Sequence, residues 1–223
     1  MNKNKKFNFE NFKEKIVRSK GNYDLYNTKN LLKRYLAWER LIITKKFIDQ
    51  VDGIKNMALD FGCQRGFLMT YLCSKYHQTI GIDIDKTALK IALGILGKEG
   101  FKNFKLIKND SGNIKLKCLK EKAVDLITCN DVLEHVSDLK GSILEFKRIL
   151  KNDGYLVVSV PTENLFYKLG NFIDFCLGFS KNFNEETHIN NLRIIKRELL
   201  NNFELLENKK IFYCFWIALL ERK

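Results

Sequence analysis

The sequence is short of several things, and each shortage narrows what it encodes. Its 223 residues contain one proline, Pro161. That residue directly follows the apolar run Tyr155–Val160, where its missing N–H would end a strand. The longest apolar run, Ile211–Leu220, has ten residues, about half of the ~20 that a membrane-crossing helix needs. No secretory hydrophobic region follows the lysine-rich start. The six cysteines, Cys63, Cys73, Cys118, Cys129, Cys176 and Cys214, never fall into C-x-x-C spacing. Several sit inside apolar runs, where cysteine behaves as a small hydrophobe, so they point to a reducing compartment. The expectation is a soluble, cytoplasmic protein.

Acidic residues are also in deficit, 26 against 39 Lys and Arg, for a formal charge of +13. Residues 1–50 hold 13 basic and 5 acidic residues, a net of +8, so more than half of the excess lies in the first fifty residues. A basic arm of this kind suits an anionic membrane surface, RNA or an acidic substrate, and equally a merely solvated face. Lys3, Lys5, Lys6, Lys13 and Lys15 would carry a membrane contact, and nucleic acid ranks below the membrane as a partner.

What the chain does have is 45% hydrophobic content, enough for one sizeable core. Phe7, Phe9 and Phe12 begin an amphipathic helix that fades at Gly21. Leu32, Tyr35, Leu36, Ile43 and Phe47 then recur at helical spacing and predict a helix packed against a sheet, with Trp38 in the core in preference to an acceptor pocket. Strands follow at Ile54–Asp60, Gln78–Asp83, Phe104–Ile107 and Val124–Thr128. Helices are expected at Phe67 to about Tyr76, at Lys86–Lys98 before Gly100, and from near Ser137 to Lys151 with Ser137 and Asp138 at its cap. Asn152-Asp153-Gly154 reads as a tight turn into strand Tyr155–Val160. Helix Asn191–Asn202 and strands Phe203–Ile211 and Tyr213–Glu221 complete the chain. Strand alternating with helix predicts an α/β fold, mostly parallel, with helices on both faces.

The centre of this pattern is Met57–Phe67, MALDFGCQRGF, a buried strand that empties into a glycine-bearing turn and a helix. Asp60 closes the strand where its carboxyl end meets solvent, and Gly62 and Gly66 turn the backbone tightly. The next helix then points its free N–H groups at whatever lies above the strand, the geometry of a nucleotide-cofactor cradle.

Asp60-Phe61-Gly62-Cys63-Gln64-Arg65-Gly66 resembles the D-x-G-x-G-x-G first motif of class I S-adenosylmethionine-dependent methyltransferases, with Gln64 at the middle glycine. A lone glycine turn is shared with dinucleotide-binding proteins, but three further features agree in order and distance. Asp83 lies seventeen residues after Gly66 at the end of a second strand, Asp110-Ser111 follow the third, and Asn130-Asp131-Val132-Leu133-Glu134-His135-Val136 follows the fourth.

The resemblance implies a Rossmann-like fold with a seven-stranded, mostly parallel sheet whose last strand runs antiparallel. It implies a helical cap over 1–50 and a methyltransferase domain over 51–223, with a lid insertion at about 162–186 rich in Leu and Phe. The cofactor would be S-adenosyl-L-methionine, held by Asp60, Gly62, Cys63, Gln64, Gly66, Asp83, Ile84, Asp110, Ser111 and Asn130. Asp83 would take the ribose hydroxyls, Asp110 the adenine edge, and Gln64 would point away or meet the amino-acid end.

The expected reaction is methyl transfer to a small or lipid-like acceptor at oxygen, in the manner of the ubiquinone-pathway branch, with His188 and His135 as catalytic residues. Ubiquinone-pathway O-methyltransferases and small-RNA 2′-O-methyltransferases carry a similar E-x-x-E-H run that holds a divalent metal. Asp131, Glu134, His135 and His188 therefore stand either as ligands or as metal-free groups with His188 the base. An RNA 2′-O-methyltransferase, an NAD-dependent oxidoreductase and a noncatalytic cofactor-binding protein remain as alternatives.

Overall fold

The computed structural model describes residues 7–19, 23–51, 53, 55–109, 116, 119–162 and 188–223. The expected lid lies outside them apart from Thr162, as do Asp110, Ser111, Lys3, Lys5 and Lys6.

Among the described residues seven strands appear: β1 (Met57–Phe61), β2 (Gln78–Asp83), β3 (Phe104–Lys108), β4 (Val124–Asn130), β5 (Leu150–Pro161), β6 (Phe203–Ile211) and β7 (Phe215–Arg222). They form one sheet in the order β3-β2-β1-β4-β5-β7-β6. The first five run parallel, and β7 is antiparallel to both β5 and β6. Their near-continuous apolar sequences follow from burial on both faces, as in VDLITCN of β4 and LVVSV within β5. The expected Rossmann-like architecture, with its antiparallel last strand, is borne out.

Helices α1 (Phe9–Arg18), α2 (Leu31–Gln50), α3 (Phe67–Lys75) and α4 (Lys86–Lys98) precede helices α5 (Leu139–Ile149) and α6 (Leu192–Asn202). On one face of the sheet, Phe9, Phe12, Trp38, Phe47 and Tyr71 share a core with Ala58, Leu126 and Val157 of the strands. On the other, Ile143, Phe146 and Leu199 pack on Leu59, Ile127 and Leu156. Trp38 is buried, and its Nε1 donates to Tyr26 O at 2.8 Å, so its place is structural. Five helices begin at an Asn or Asp whose side chain accepts a backbone N–H: Asn8, Asn30, Asp85, Asp138 and Asn191. Helix α3 is the exception among those described, entered through Gly66 with no side-chain cap.

Several sequence expectations need correction. Asp60 does not meet solvent: β1 runs one residue further, to Phe61, and Asp60 is buried. The helix after His135 begins at Leu139, because residues 133–135 first form a separate 3₁₀ turn, and Asp138 is its N-cap. Asn152-Asp153-Gly154 do not lie outside the fifth strand. Leu150 already pairs with Val124, and the ladder resumes at Leu126 and Tyr155, so the turn residues form an irregularity within β5. The last strand starts at Phe215, since Ile211–Cys214 close a turn through Cys214 N to Ile211 O at 2.7 Å. Leu32 and Tyr35, expected against the sheet, are exposed, because the first turn of α2 extends past the packed face and only the helix from Ala37 onward is buried.

Candidate functional site

The strand order reverses direction between β1 and β4, and in open α/β sheets ligands bind in the crevice at that point, beyond the strands' carboxyl ends. A cleft of about 370 Å³ lies there, lined by Gly62, Gln64, Asp83, Ile84, Asn109, Val132 and His135 among others. A smaller cavity of about 30 Å³ shares Gly62, Gln64 and Arg65 with it and reaches Tyr26, Arg40, Asp60, Cys63 and Asn130.

The turn after β1 is built around Asp83. Gly62 N and Cys63 N donate to Ile82 O at 2.8 and 3.0 Å, which pins the turn against the end of β2. Asp83 Oδ2 then accepts from Gln64 N at 2.7 Å and Oδ1 from Asp85 N at 2.9 Å. Each carboxylate oxygen has a second lone pair, so the acid keeps acceptor capacity toward the cleft while its rotamer is held. Gln64 replaces the motif's middle glycine yet keeps a left-handed backbone, φ 45°, and it lines both cavities.

Gly62 is required twice over. Its φ of 77° favours glycine, and a Cβ added there would lie 2.1 Å from Val132 Cγ2. The bare backbone thus makes room for a neighbouring side chain.

Asp60 lies beneath the smaller cavity and accepts from Thr128 Oγ1 at 2.7 Å. Burial pushes its carboxyl up to about 7, against the Thr128 hydrogen bond and with the charge of Asp83 adding to the rise. Burial likewise drives the Cys63 thiol well above its usual range, with Asp60 and Asp83 nearby, so Cys63 acts as packing and not as a nucleophile. Asn130 ends β4, and its Oδ1 accepts from Thr44 Oγ1 of α2 at 3.4 Å.

Beyond β4 the structure separates residues that the sequence had grouped. Asp131 does not join Glu134 and the histidines. Its Oδ2 forms an ion pair with Arg40 Nη1, its Oδ1 accepts from Ser159 Oγ at 2.6 Å, and its φ of 52° turns the chain away. The reason is the buried Arg40 guanidinium, which arrives from α2 and demands a carboxylate.

Glu134, His135 and His188 do come together, each offering a ligand atom within 4.8 Å of the others. His135 Nε2 lies 3.9 Å from Glu134 Oε1, and the two imidazoles meet edge to face with centroids 5.0 Å apart. The segment carrying His188 is locked on by Ile189 N and Asn190 N, which donate to Glu134 O, and by Asn190 Nδ2, which donates to Leu133 O and Val136 O. One carboxylate with two imidazoles is a donor set that suits a divalent cation.

Arg40, Tyr26, Ser159 and Asn190 were missed by the sequence reading. Arg40 had a signal, a cation set among Ala37, Trp38, Leu41 and Thr44 on the helix face that becomes buried. Asn190 had none.

The site accommodates a nucleoside-bearing cofactor. The uncapped N-terminus of α3 follows the glycine turn, the acid Asp83 waits at the end of β2, and the exposed side chain of Ile84 offers an apolar surface beside it. Fold and cleft together define a doubly wound cofactor-binding protein of the methyltransferase type. Residues 55–205 match the family model described as methyltransferase domain, and the chain belongs to that family. It is 36% identical over 135 residues to an uncharacterized protein of Methanocaldococcus jannaschii, covering 60% of this chain and 52% of that one. It is 27% identical over 121 residues to a ubiquinone biosynthesis O-methyltransferase of Nitrosomonas europaea, covering 53% and 50%. The chain therefore spans about half the length of these curated relatives. A crystal structure of a SAM-dependent methyltransferase from Aquifex aeolicus superposes with a TM-score of 0.64 at 17% identity, over 98% of this chain and 100% of that one.

Proposed function

We propose that the protein transfers a methyl group from S-adenosylmethionine to an oxygen of a small, lipid-like acceptor. The observation that carries this reading is the cleft at the strand switch point, with the backbone-anchored Asp83 beside it at β2 and His135 lining its side beyond β4. Bound S-adenosylmethionine supplies a sulfonium methyl that is already activated. The chain's own work is then alignment, with a base needed only where the acceptor loses a proton. Asp83 holds the ribose hydroxyls, Gly62 and Gln64 shape the floor of the cleft, and Asp60 with Asn130 faces the amino-acid end. His135, which lines the cleft and meets His188 edge to face, takes the acceptor's proton. Oxygen as the target is supported by the partial likeness to a ubiquinone biosynthesis O-methyltransferase. Against an NAD-dependent oxidoreductase stands the methyltransferase family match.

A second reading is favoured by the Glu134, His135 and His188 cluster, where a divalent cation would fix the acceptor oxygen, as in metal-dependent transfer to an RNA 2′-hydroxyl.

Calorimetry with S-adenosylmethionine and its demethylated product tests the first step. The chain should bind both, and Asp83→Ala should weaken binding by about one to two powers of ten, since a hydrogen bond to a charged acceptor is worth about 1.5–3 kcal/mol. No heat from folded wild-type protein with either ligand would refute the assignment.

A further inference from the structure

Phe212 and Tyr213 occupy the two central positions of the turn between β6 and β7, closed by Cys214 N to Ile211 O. Both adopt left-handed backbone, φ 43° and 56°. Such two-residue turns favour Asn-Gly, because Asn and Gly enter that region at little cost, whereas bulky side chains are strained there. Here the strain is borne by two aromatic residues whose side chains stand 64% and 66% exposed. Strain of this kind, held where it contributes nothing to the core, points to a role outside folding.

The tip is not isolated. The Phe212 ring meets that of Tyr35 at 6.0 Å between centroids, and Tyr35 shares one face of α2 with Leu31 and Leu32. These three are 49%, 69% and 58% exposed, so the two elements present one protruding apolar patch. The stretches that carry it are cationic. Residues 25–36 contain Lys29, Lys33 and Arg34, residues 208–216 contain Lys209 and Lys210, and neither stretch contains an acid. The patch also shares an edge with the cleft. Phe215 pairs with Pro161 at the carboxyl end of β5, and Arg40 lies 5.4 Å over the Phe215 ring while pairing with cleft-lining Asp131.

We propose that the Ile211–Cys214 tip and the first turn of α2 form a docking surface for an anionic lipid bilayer, holding the cleft's edge of the sheet against the membrane. Aromatic side chains flanked by lysines suit the interfacial layer, and the five cations match its surface charge. Leu31 and Leu32 favour lipid over single-stranded RNA, whose bases would want flat rings at those positions. Lys13 and Lys15 of α1 are less suited to this contact: Lys15 pairs with Glu99, and Lys13 lies 3.8 Å from Glu10. The proposal deepens the reading of a lipid-like acceptor and rests on it for its purpose, but its test does not read methyl transfer.

The experiment is flotation of the full chain with vesicles of phosphatidylglycerol and phosphatidylcholine, or of phosphatidylcholine alone, at low and high salt. The wild type should float only with anionic vesicles and be released by salt. The double variant Phe212→Asn/Tyr213→Gly installs the residues the turn prefers. It should therefore melt no lower than wild type and bind S-adenosylmethionine equally well, while its partition falls at least tenfold. Lys209→Gln/Lys210→Gln should cost about fivefold per lysine. The proposal is overturned if wild type fails to float at low salt or if the tip variant floats equally well. It is also overturned if the tip variant loses binding to a short single-stranded RNA, or self-association, in place of vesicle binding. Absence of cofactor binding in a wild type that floats would instead refute the methyl-transfer reading and leave the docking surface standing.

Discussion

Buried Arg40 and half-buried Asp131 form an ion pair that ties the middle of α2 to the chain leaving β4, with Arg40 Nη2 also donating to Tyr26 OH at 3.1 Å and Ser159 Oγ donating to Asp131. The pair fixes where the fourth strand's loop departs. It thereby sets which of the residues after β4 turn toward the cleft.

Removing one partner leaves an uncompensated charge in a largely dry place. Asp131→Asn keeps a residue that tolerates the left-handed backbone but strips the charge, and it should cost about 2–4 kcal/mol of stability, toward the lower part of the range for breaking buried pairs because Asp131 is partly exposed. Arg40→Met/Asp131→Asn should recover part of that loss. Urea unfolding of the two variants decides it, and equal stability of wild type and Asp131→Asn would mean the pair contributes nothing.

Gly62 and Val132 form a second coupled pair. Gly62→Ala should destabilise by at least about 2 kcal/mol, combining backbone strain with overpacking. Val132→Ala should rescue the overpacking share and not the strain. A double-mutant cycle reads the coupling, and strictly additive losses would show that the Val132 contact is irrelevant.

Asp60 makes stability depend on pH. Its folded-state carboxyl titrates at about 7 and its unfolded-state carboxyl near 4, so the stabilising proton is fully present below about pH 4 and lost as pH rises through 7. Wild type should lose stability with rising pH over that window, at up to about 1.4 kcal/mol per pH unit from this group. Asp60→Asn, which can still accept from Thr128, should remove that component. Parallel pH curves for the two proteins would contradict it.

On the second reading, the Glu134, His135 and His188 cluster binds a divalent cation. Calorimetric titration of the full chain with Mn²⁺ should show one site, weakened at least tenfold in Glu134→Gln, and transfer should fall with chelator and return with Mg²⁺ or Mn²⁺. Wild type with no Mn²⁺ heat, unaffected by chelator but inactive as His135→Ala, would favour the first reading, with His135 as the base.

How much of this was legible beforehand varies with the range of the interaction. The limits of β2, α4 and β6 were read from the sequence as they stand, because apolar periodicity and Gly100 act within a few residues. Asp83 and the glycine turn were found by their position at strand ends. The irregularity in β5 was not, since Asn152-Asp153-Gly154 carries ordinary turn chemistry and only the pairing of Val124 with Leu150 draws it into the strand. Arg40 and Asn190 escaped because their partners lie 91 and 54–57 positions away in the chain.

The sequence alone determined the alternation of strand and helix, the turn that cradles a cofactor and the acid at the end of β2, all of which depend on neighbours in the chain. Only the tertiary structure decided that Asp131 belongs to Arg40 and not to Glu134, that His188 lies against His135, and that Leu31, Leu32 and Tyr35 join Phe212 on the surface. A charge takes the nearest countercharge and an apolar side chain the nearest dry surface, and which is nearest is settled only once the sheet has brought distant segments together.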